Sequence, residues 1–194
     1  MKKSSVAIMV LLAFAGGFIT GLIWAAYKGT PQGLAPAPRS VSSQVQASPK
    51  EVLARLTLLE KQIKDEPASF ELLVEAGNFC FDNDLYEKAK KYYEKALQIS
   101  PNEPDVLTDL GIAYSRTGNP EKAASLFRQA NKIDPSHQNS ILNLGIVLLH
   151  DLNDKKGALK AWEDYLALNP KDKRSEQIRK VVNKLRKSLN AGKP

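Results

Sequence analysis

The sequence predicts an all-α protein in which one transmembrane helix precedes a solenoid of helix-turn-helix units. Two observations carry this prediction. An uncharged, largely apolar run extends over residues 6–27, which is long enough for a membrane helix. Prolines then recur at intervals of 34, 34 and 35 residues, at Pro67, Pro101, Pro135 and Pro170. A fixed period of about 34 residues is typical of solenoids built from helix pairs.

The apolar run is predicted to be a signal anchor. Its 22 residues, at about 1.5 Å each, give a helix of about 33 Å, which matches the hydrocarbon core of a bilayer. Lys2 and Lys3 predict that residues 1–5 are cytoplasmic. The alternative is a cleaved signal peptide, whose apolar region is about 7–15 residues long. The anchor predicts a single-pass inner (cytoplasmic) membrane protein with a periplasmic or otherwise extracytoplasmic body.

Small residues follow one face of this predicted membrane helix. Ala13, Gly17 and Gly21 are spaced four residues apart, a pattern that lets two membrane helices approach closely and predicts a homodimer. The alternative is that glycine is simply common in membrane helices. Residues 28–48 are rich in Pro, Ser, Gln and Ala without apolar periodicity, so they are predicted to form a flexible linker.

Charge is distributed unevenly along the chain. The formal net charge is +7, yet residues 68–170 carry 11 basic and 15 acidic residues, whereas residues 171–194 carry nine basic and two acidic residues. The basic segment has apolar residues at helical spacing, and we interpret it as a solvated capping helix and tail. Contact with anionic lipid is the alternative. Nucleic acid is not expected as a partner, because no aromatic residues interleave with these charges.

The residues between the prolines also repeat. Each interval has an apolar residue and a glycine four positions apart, then an alanine and an aromatic residue four apart, then a proline. These are Leu73, Gly77, Ala89, Tyr93 and Pro101; Leu107, Gly111, Ala123, Phe127 and Pro135; and Ile141, Gly145, Ala158, Trp162 and Pro170. This order resembles the tetratricopeptide repeat (TPR). The third interval departs from it, with one extra residue in the turn at 151–156 and Tyr165 in place of an alanine.

The resemblance divides the body into three repeats, at residues 67–101, 102–135 and 136–170. Residues 49–66 are predicted to be an N-terminal capping helix, since Leu56, Leu59 and Ile63 follow one helical stripe. Residues 171–194 are predicted to be the basic C-terminal capping helix and tail. Glycine inside a helix costs about 1 kcal/mol relative to alanine, so the repeated glycines predict close packing within each helix pair.

The resemblance implies a right-handed superhelix whose first helices line a concave groove that binds protein. By their position in the repeat, the lining residues are expected to include Glu71, Val74, Asn78, Phe81, Asp105, Asp109, Ile112, Asn143, Ile146 and Leu149. The apolar members would contact an extended peptide or an amphipathic helix, and the acidic members would favour a basic one. The chain is therefore expected to be a protein–protein interaction scaffold or adaptor, without a cofactor.

Some TPR proteins clamp the C-terminal carboxylate of a chaperone with two lysines, an arginine and two asparagines. Only Asn78 matches that set here, because Val74, Asp109, Asn139 and Asn143 occupy the other positions. The cations that would neutralise a carboxylate are missing from these positions. A carboxylate clamp is therefore disfavoured.

The sequence contains no motif for catalysis, such as a nucleophile elbow, a phosphate loop or a metal-ligand spacing, and we expect no enzyme. His137 and His150 lie 13 positions apart on one predicted helix, about 20 Å apart, which is too far to share a metal ion. Cys80, the single cysteine, stands where the TPR pattern has an aromatic residue, and is expected to be an inert buried thiol.

An anchored TPR body resembles the periplasmic TPR subunits of bacterial cytochrome c biogenesis complexes, which hold client or partner segments. This resemblance of architecture implies a role in cytochrome c maturation. An assembly factor for another envelope complex is equally compatible with the sequence.

Overall fold

The computed structural model describes residues 48–191, which form eight α-helices and contain no β-strand. In chain order the helices are α1 (Pro49–Asp65), α2 (Phe70–Asp82), α3 (Tyr86–Ile99), α4 (Pro104–Arg116), α5 (Pro120–Ile133), α6 (Gln138–His150), α7 (Lys155–Leu168) and α8 (Lys173–Ala191). Three pairs pack closely, α2 with α3, α4 with α5 and α6 with α7, and each pair packs on the next. This arrangement confirms the predicted all-helical solenoid.

The helix ends follow from the local sequence. Ser48 and Glu51 form a capping box at the start of α1: Glu51 Oε2 accepts the Ser48 N–H at 2.7 Å, and the Ser48 hydroxyl accepts the Glu51 N–H. A proline begins α1, α4 and α5, where the backbone N–H would have no helical partner. The second helix of each pair ends two positions before a proline. Proline disfavours the helical conformation in the residue that precedes it, so the helix cannot continue to that residue.

Each pair contains one turn residue with left-handed backbone. These residues are Asp84 (φ 58°), Gly118 (φ 78°) and Asn153 (φ 52°). Aspartate, glycine and asparagine adopt this conformation more readily than other residues. In the third pair, Asp154 follows the turn and caps α7 by accepting the Gly157 N–H at 2.8 Å. The third turn is one residue longer than the others, but the helix that follows it still begins with a capping residue.

A glycine of the first helix contacts an aromatic ring of the second helix in every pair. The contacts are Gly77 with Tyr93, Gly111 with Phe127 and Gly145 with Trp162. A Cβ atom added at Gly111 would lie 2.6 Å from Phe127 Cε1, closer than real Cβ atoms approach other atoms. The three rings are fully buried. The close packing predicted from the repeated glycines is therefore present in all three pairs.

The terminal helices cover the two ends of the array. Helix α1 buries Leu56 and Leu59 and packs against α2. Helix α8 packs against α7 and buries Ile178, Val182 and Leu185. The basic residues of α8 lie mostly on its exposed side. Each terminal helix thus removes from water an apolar surface that a further repeat would otherwise cover.

The unusual Tyr165 of the third repeat is accommodated next to α8. Its side chain is 1 % exposed, and its hydroxyl donates to Asp172 Oδ2 at 3.3 Å, just before that helix begins. Ser175, in the first turn of α8, is also fully buried. The third repeat contacts a single capping helix instead of another repeat, and a tyrosine replaces the alanine of the earlier repeats at this boundary.

The localisation predicted from the sequence requires a correction. No helix within residues 48–191 is both long and apolar enough to cross a membrane. The longest of them, α8, has 19 residues, and eight of these are charged, which is incompatible with a membrane span. The prediction of a single-pass inner-membrane protein with a periplasmic body is contradicted by this finding and is not retained.

Several sequence predictions concern residues outside the described range. These are the cytoplasmic N-terminus at 1–5, the anchor at 6–27, the small-residue stripe of Ala13, Gly17 and Gly21, and all but the last residue of the linker at 28–48. The last three residues of the C-terminal tail, 192–194, also lie outside it. The homodimer through the small-residue stripe stays a prediction.

Replacing Gly111 with leucine is expected to lower the free energy of unfolding by about 1–3 kcal/mol or more, because the new side chain overlaps the Phe127 ring. Lys132→Leu, at an exposed position of α5, serves as the control and should be near neutral. Thermal unfolding followed by circular dichroism compares the two variants. Equal midpoints would show that the glycine contact does not set the helix separation.

Cys80 lies in the core between α2 and its neighbours and is fully buried. Burial raises the pKa of its thiol from 9.0 to about 11. The unfolded chain therefore loses the thiol proton at lower pH than the folded chain does. The contribution of Cys80 to the free energy of unfolding should be intact below pH 9.0 and should decline between pH 9.0 and about 11.

Two measurements check this expectation. Native protein at about pH 8 should react with Ellman's reagent far more slowly than protein in concentrated guanidinium chloride. Chemical denaturation across the alkaline range should show a steeper loss of stability for the parent than for Cys80→Ala, which lacks the thiol. Fast labelling of the native protein would contradict the inert role assigned to this cysteine.

Candidate groove on the first helices

The first helices of the three pairs enclose a groove of about 460 Å³. Helix α2 contributes two apolar residues, α4 and the residue before it contribute six residues, and α6 contributes two asparagines. The lining residues are Phe70, Val74, Glu103, Asp105, Val106, Thr108, Asp109, Ile112, Asn139 and Asn143. We refer to this surface as the groove.

Helical spacing explains which side chains reach the groove. Phe70 and Val74 are four residues apart on α2, as are Asn139 and Asn143 on α6. Side chains separated by three or four residues lie on the same face of a helix. The groove consequently has an apolar side on α2, an amide side on α6, and a mixed surface on α4 between them.

Every charged residue that lines the groove is acidic. The Asp105 side chain is 87 % exposed, whereas Asp109 is only 9 % exposed as a residue. Glu103 is held in place by the Ser100 hydroxyl, which donates to Glu103 Oε1 at 2.7 Å. With three carboxyl groups and no cation among its lining residues, the groove attracts positively charged ligands and repels negatively charged ones.

The structure brings together half of the groove residues expected from the sequence. Val74, Asp105, Asp109, Ile112 and Asn143 line the groove. The other five do not: Glu71, Asn78, Phe81, Ile146 and Leu149. That the lining residues bind a ligand stays a prediction.

Local contacts explain why residues of α2 depart from the expected lining. The Tyr93 hydroxyl donates to Asn78 Oδ1 at 2.9 Å. The Phe81 ring packs edge-to-face against Tyr86, with ring centroids 5.3 Å apart. Both side chains therefore connect α2 with α3. Glu71 is exposed and follows Phe70 by one residue, which turns it about 100° around the helix from the groove-facing stripe.

Three lining residues, Phe70, Glu103 and Val106, were not anticipated from the sequence, whereas Thr108 and Asn139 stand at groove positions of the repeat. Phe70 could have been found from its spacing, because it precedes Val74 by one helical turn. Glu103 precedes the proline that begins α4 and occupies the N-cap position, a place that the repeat pattern does not assign to the groove. Val106 is 5 % exposed, as expected for an apolar core residue. Its apolar side chain therefore gives no indication in the sequence that it also lines the groove.

His137 connects the second repeat with the third at the edge of the groove. It is the N-cap of α6, and its Nδ1 atom accepts the Ser140 N–H. In that tautomer Nε2 carries the proton and donates to Asp105 Oδ1 at 3.0 Å. Thr108 Oγ1 lies 3.4 Å from Nδ1. The contact joins α4 to α6 and holds the two helices that carry the acidic and amide sides of the groove.

Asp105, His137 and Ser140 occur in the order of a hydrolytic triad, but the geometry does not provide a nucleophile. Ser140 is fully buried. Its hydroxyl lies within hydrogen-bond distance of the Asn131 side chain and of the His137 carbonyl oxygen, the latter at 2.8 Å. A substrate cannot reach this oxygen, so the three residues act as a helix cap and an inter-repeat contact.

Within residues 48–191, no three His, Cys, Asp or Glu side chains are grouped so that they could hold a metal ion. His137 is engaged with Asp105, and His150 is exposed at the far end of α6. The polar groups of the groove are thus arranged for hydrogen bonding and charge attraction.

Comparisons with solved structures identify close matches in fold. A crystal structure of MamA aligns over 73 % of this chain and 80 % of that one, with a TM-score of 0.65 and 17 % identity. The first TPR of Spaghetti (RPAP3), bound to the HSP90 peptide SRMEEVD, aligns over 62 % of this chain and 93 % of that one (TM-score 0.56, 24 % identity). The Sgt2 TPR domain of Aspergillus fumigatus aligns over 64 % and 84 % (TM-score 0.57, 29 % identity).

Sequence comparisons agree with the fold. No curated protein sequence matches the chain. Two sequence models described as tetratricopeptide repeat match residues 69–136 and 108–173. Their combined range, 69–173, covers 105 of the 194 residues and contains all three helix pairs. Since the match extends over more than half of the sequence and the folds agree, this chain belongs to the tetratricopeptide repeat family.

Proposed function

We propose that this protein is an interaction scaffold that binds a peptide or helical segment of a protein partner in its groove. The observation that carries the proposal is the groove itself, which combines apolar side chains from two helices with carboxyl groups from one. Such a surface buries apolar anchors of a ligand and orients its charges. The proposed mechanism is capture on a preformed surface without chemistry.

The comparisons support a peptide as the type of ligand. The first TPR of Spaghetti, which shares this fold, has been solved with the HSP90 peptide SRMEEVD. That peptide carries more acidic than basic residues. The groove of this chain has three acidic lining residues and no basic one, so charge repulsion disfavours such a peptide here. A segment with apolar anchors and basic side chains fits the groove better.

The narrower role considered from the sequence, in cytochrome c maturation, depends on architecture alone. The lining of the groove, with its apolar, amide and carboxyl side chains, does not favour it over other protein-binding roles. A role in assembling another envelope complex is likewise not supported by any specific feature of residues 48–191. The broader proposal, capture of a protein segment, is therefore the one that the groove supports.

The apolar contacts are tested first. Affinity capture from an extract of the source cells, using the full chain, provides the partner, and its binding is then measured with purified proteins. The double variant Val74→Ala, Ile112→Ala should weaken binding at least about tenfold at all salt concentrations, because buried apolar anchors carry most of the affinity. Both residues are only partly buried in the free protein, so the fold should survive.

Ile133→Ala is the matched control, since Ile133 is an exposed apolar residue of α5 that does not line the groove. It should bind like the parent. Circular dichroism and melting temperature must be similar for all the variants. If the folded double variant binds the partner as tightly as the parent, the partner occupies another surface and the proposal fails.

The charge of the ligand is tested with Asp105→Asn. This variant keeps an oxygen that can accept the His137 N–H, but it removes one negative charge from the groove. Binding should weaken about two- to fivefold at low salt and should converge with that of the parent at high salt, because exposed charges are screened within about 10 Å at 0.1 M salt.

Asp164→Asn serves as the control for charge alone, since Asp164 lies on α7 outside the groove and its side chain is 57 % exposed. It should show little change at any salt concentration. A tighter complex with Asp105→Asn than with the parent would mean that the ligand is acidic, which would contradict the proposed charge preference.

A further inference from the structure

Four lysines form one stripe along the outer side of α8. They are Lys173, Lys180, Lys184 and Lys187, and all four are exposed. At this spacing the four side chains lie within about 60° of one another around the helix axis, and the stripe is about 21 Å long. We call these four residues the lysine stripe.

The lysine stripe lies opposite the residues that attach α8 to the array. Three apolar side chains of α8 are buried on the other side of the helix. Two arginines also attach it: Arg186 donates to Glu163 Oε1 at 2.7 Å, and Arg179 donates to the Pro170 carbonyl oxygen. The four lysines, in contrast, make no side-chain hydrogen bond or ion pair with any residue of 48–191. Their charge is not used within this part of the chain.

The two capping helices have the same structural task but different charge. Helix α1 carries four basic and three acidic residues, whereas α8 carries seven basic residues and one acidic residue. Each buries an apolar face at one end of the array. A capping helix needs a polar outer face for solubility, and charges of mixed sign provide it. Capping therefore does not explain the excess of positive charge on α8.

The chemistry of the lysine stripe favours one class of partner. Interfaces between proteins are enriched in arginine and aromatic residues and depleted in lysine. Nucleic-acid interfaces commonly add arginine, asparagine or glutamine for base edges, or aromatic rings for stacking. Lysine is a flexible point charge that needs no fixed partner geometry. A row of lysines on a straight helix therefore suits a flat surface of mobile phosphate groups, which is what an anionic lipid bilayer presents.

The charge of the other helices would orient the protein on such a surface. Residues 68–170 carry 11 basic and 15 acidic residues, whereas residues 171–194 carry nine basic and two acidic residues. An anionic surface attracts the second segment and repels the first. The stripe has no apolar side chain to insert into lipid, so the contact is reversible and needs no membrane span.

We propose that the lysine stripe binds the surface of membranes that contain anionic phospholipids, with α8 lying along the lipid phosphates. The contact is peripheral and electrostatic. None of the residues that line the groove belongs to α8. The inference thus goes beyond the proposed function, and contact with lipid can be tested separately from capture of a protein partner.

The test measures energy transfer from a dye on α8 of the full chain to an acceptor dye on lipid headgroups. The donor is attached at Ser188→Cys, because Ser188 is exposed whereas the single native cysteine, Cys80, is fully buried. Vesicles contain phosphatidylcholine alone or with about 30 % phosphatidylglycerol. At about 0.1 M salt, transfer should be at least about threefold higher with the anionic vesicles. At about 1 M salt it should fall to the level of the neutral vesicles, because the Debye length shrinks from about 10 Å to about 3 Å.

The stripe variant replaces all four lysines of the stripe with glutamine, and it should abolish the increase. Lys184→Gln alone should weaken apparent binding about fivefold, which corresponds to about 1 kcal/mol for one lysine. The matched control removes the same charge from exposed lysines of α1 and α5: Lys61→Gln, Lys64→Gln, Lys122→Gln and Lys132→Gln. It should bind like the parent. All variants should melt at similar temperatures, since exposed substitutions have small effects on stability.

A second dye position controls for attachment through other parts of the chain. Ser125 is exposed on α5, and a donor at Ser125→Cys should show less than about half of the increase seen at Ser188→Cys, because α8 is the helix nearest to the bilayer. Transfer that is equal in neutral and anionic vesicles at both positions would show attachment that does not involve the stripe, and the inference would fail.

Other results would also overturn the inference. An increase that survives in the stripe variant or at about 1 M salt would exclude an electrostatic contact of these lysines. Equal losses in the stripe variant and the matched control would show that only net charge matters. The dye at Ser188→Cys also reports binding of polyglutamate and of duplex DNA. If either binds at least as tightly as the anionic vesicles in the same buffer, the partner is an acidic protein or a nucleic acid, and the assignment to lipid is wrong.

Discussion

The contact between a glycine of one helix and an aromatic ring of the next sets the geometry on which the rest of this molecule depends. Without a Cβ atom at Gly77, Gly111 or Gly145, the ring of the second helix reaches the backbone of the first and packs directly against it. The stacking of pairs then places α2, α4 and α6 beside one another, and the groove is the space between their exposed faces.

The groove is chemically uneven because neighbouring repeats contribute different residues at equivalent positions. Phe70 and Val74 make one side apolar, and the asparagines of α6 make the opposite side polar. The hydrogen bond from His137 to Asp105 joins the second repeat to the third in addition to their apolar packing. A solenoid is held together by contacts between neighbouring repeats, and this hydrogen bond adds one such contact at the polar half of the groove.

The fold could be predicted largely from the sequence, but the site only partly. Prolines, glycines and alanines that recur every 34 or 35 residues indicate where helices end and where they pack closely. Helix ends and close contacts depend on local chemistry, so the sequence pattern predicts them. Asn78 does not line the groove, because the Tyr93 hydroxyl donates a hydrogen bond to its side chain. The equivalent Phe127 of the second repeat has no hydroxyl. The pairing of His137 with Asp105 joins residues 32 positions apart, which no local pattern indicates. The membrane location, inferred from residues outside the described range, was contradicted.

The three aromatic rings have consequences for how such an array changes over generations. The Trp162 indole donates to the Leu142 carbonyl oxygen at 3.3 Å, the Tyr93 hydroxyl donates to Asn78, and Phe127 makes no such bond because its ring has no polar atom. Each ring is therefore matched to the first helix of its own pair. A single helix transplanted from one repeat to another would meet the wrong ring, whereas a whole pair carries its matched contact with it. An exchange of whole helix pairs between repeats would therefore keep each ring with the glycine that it contacts.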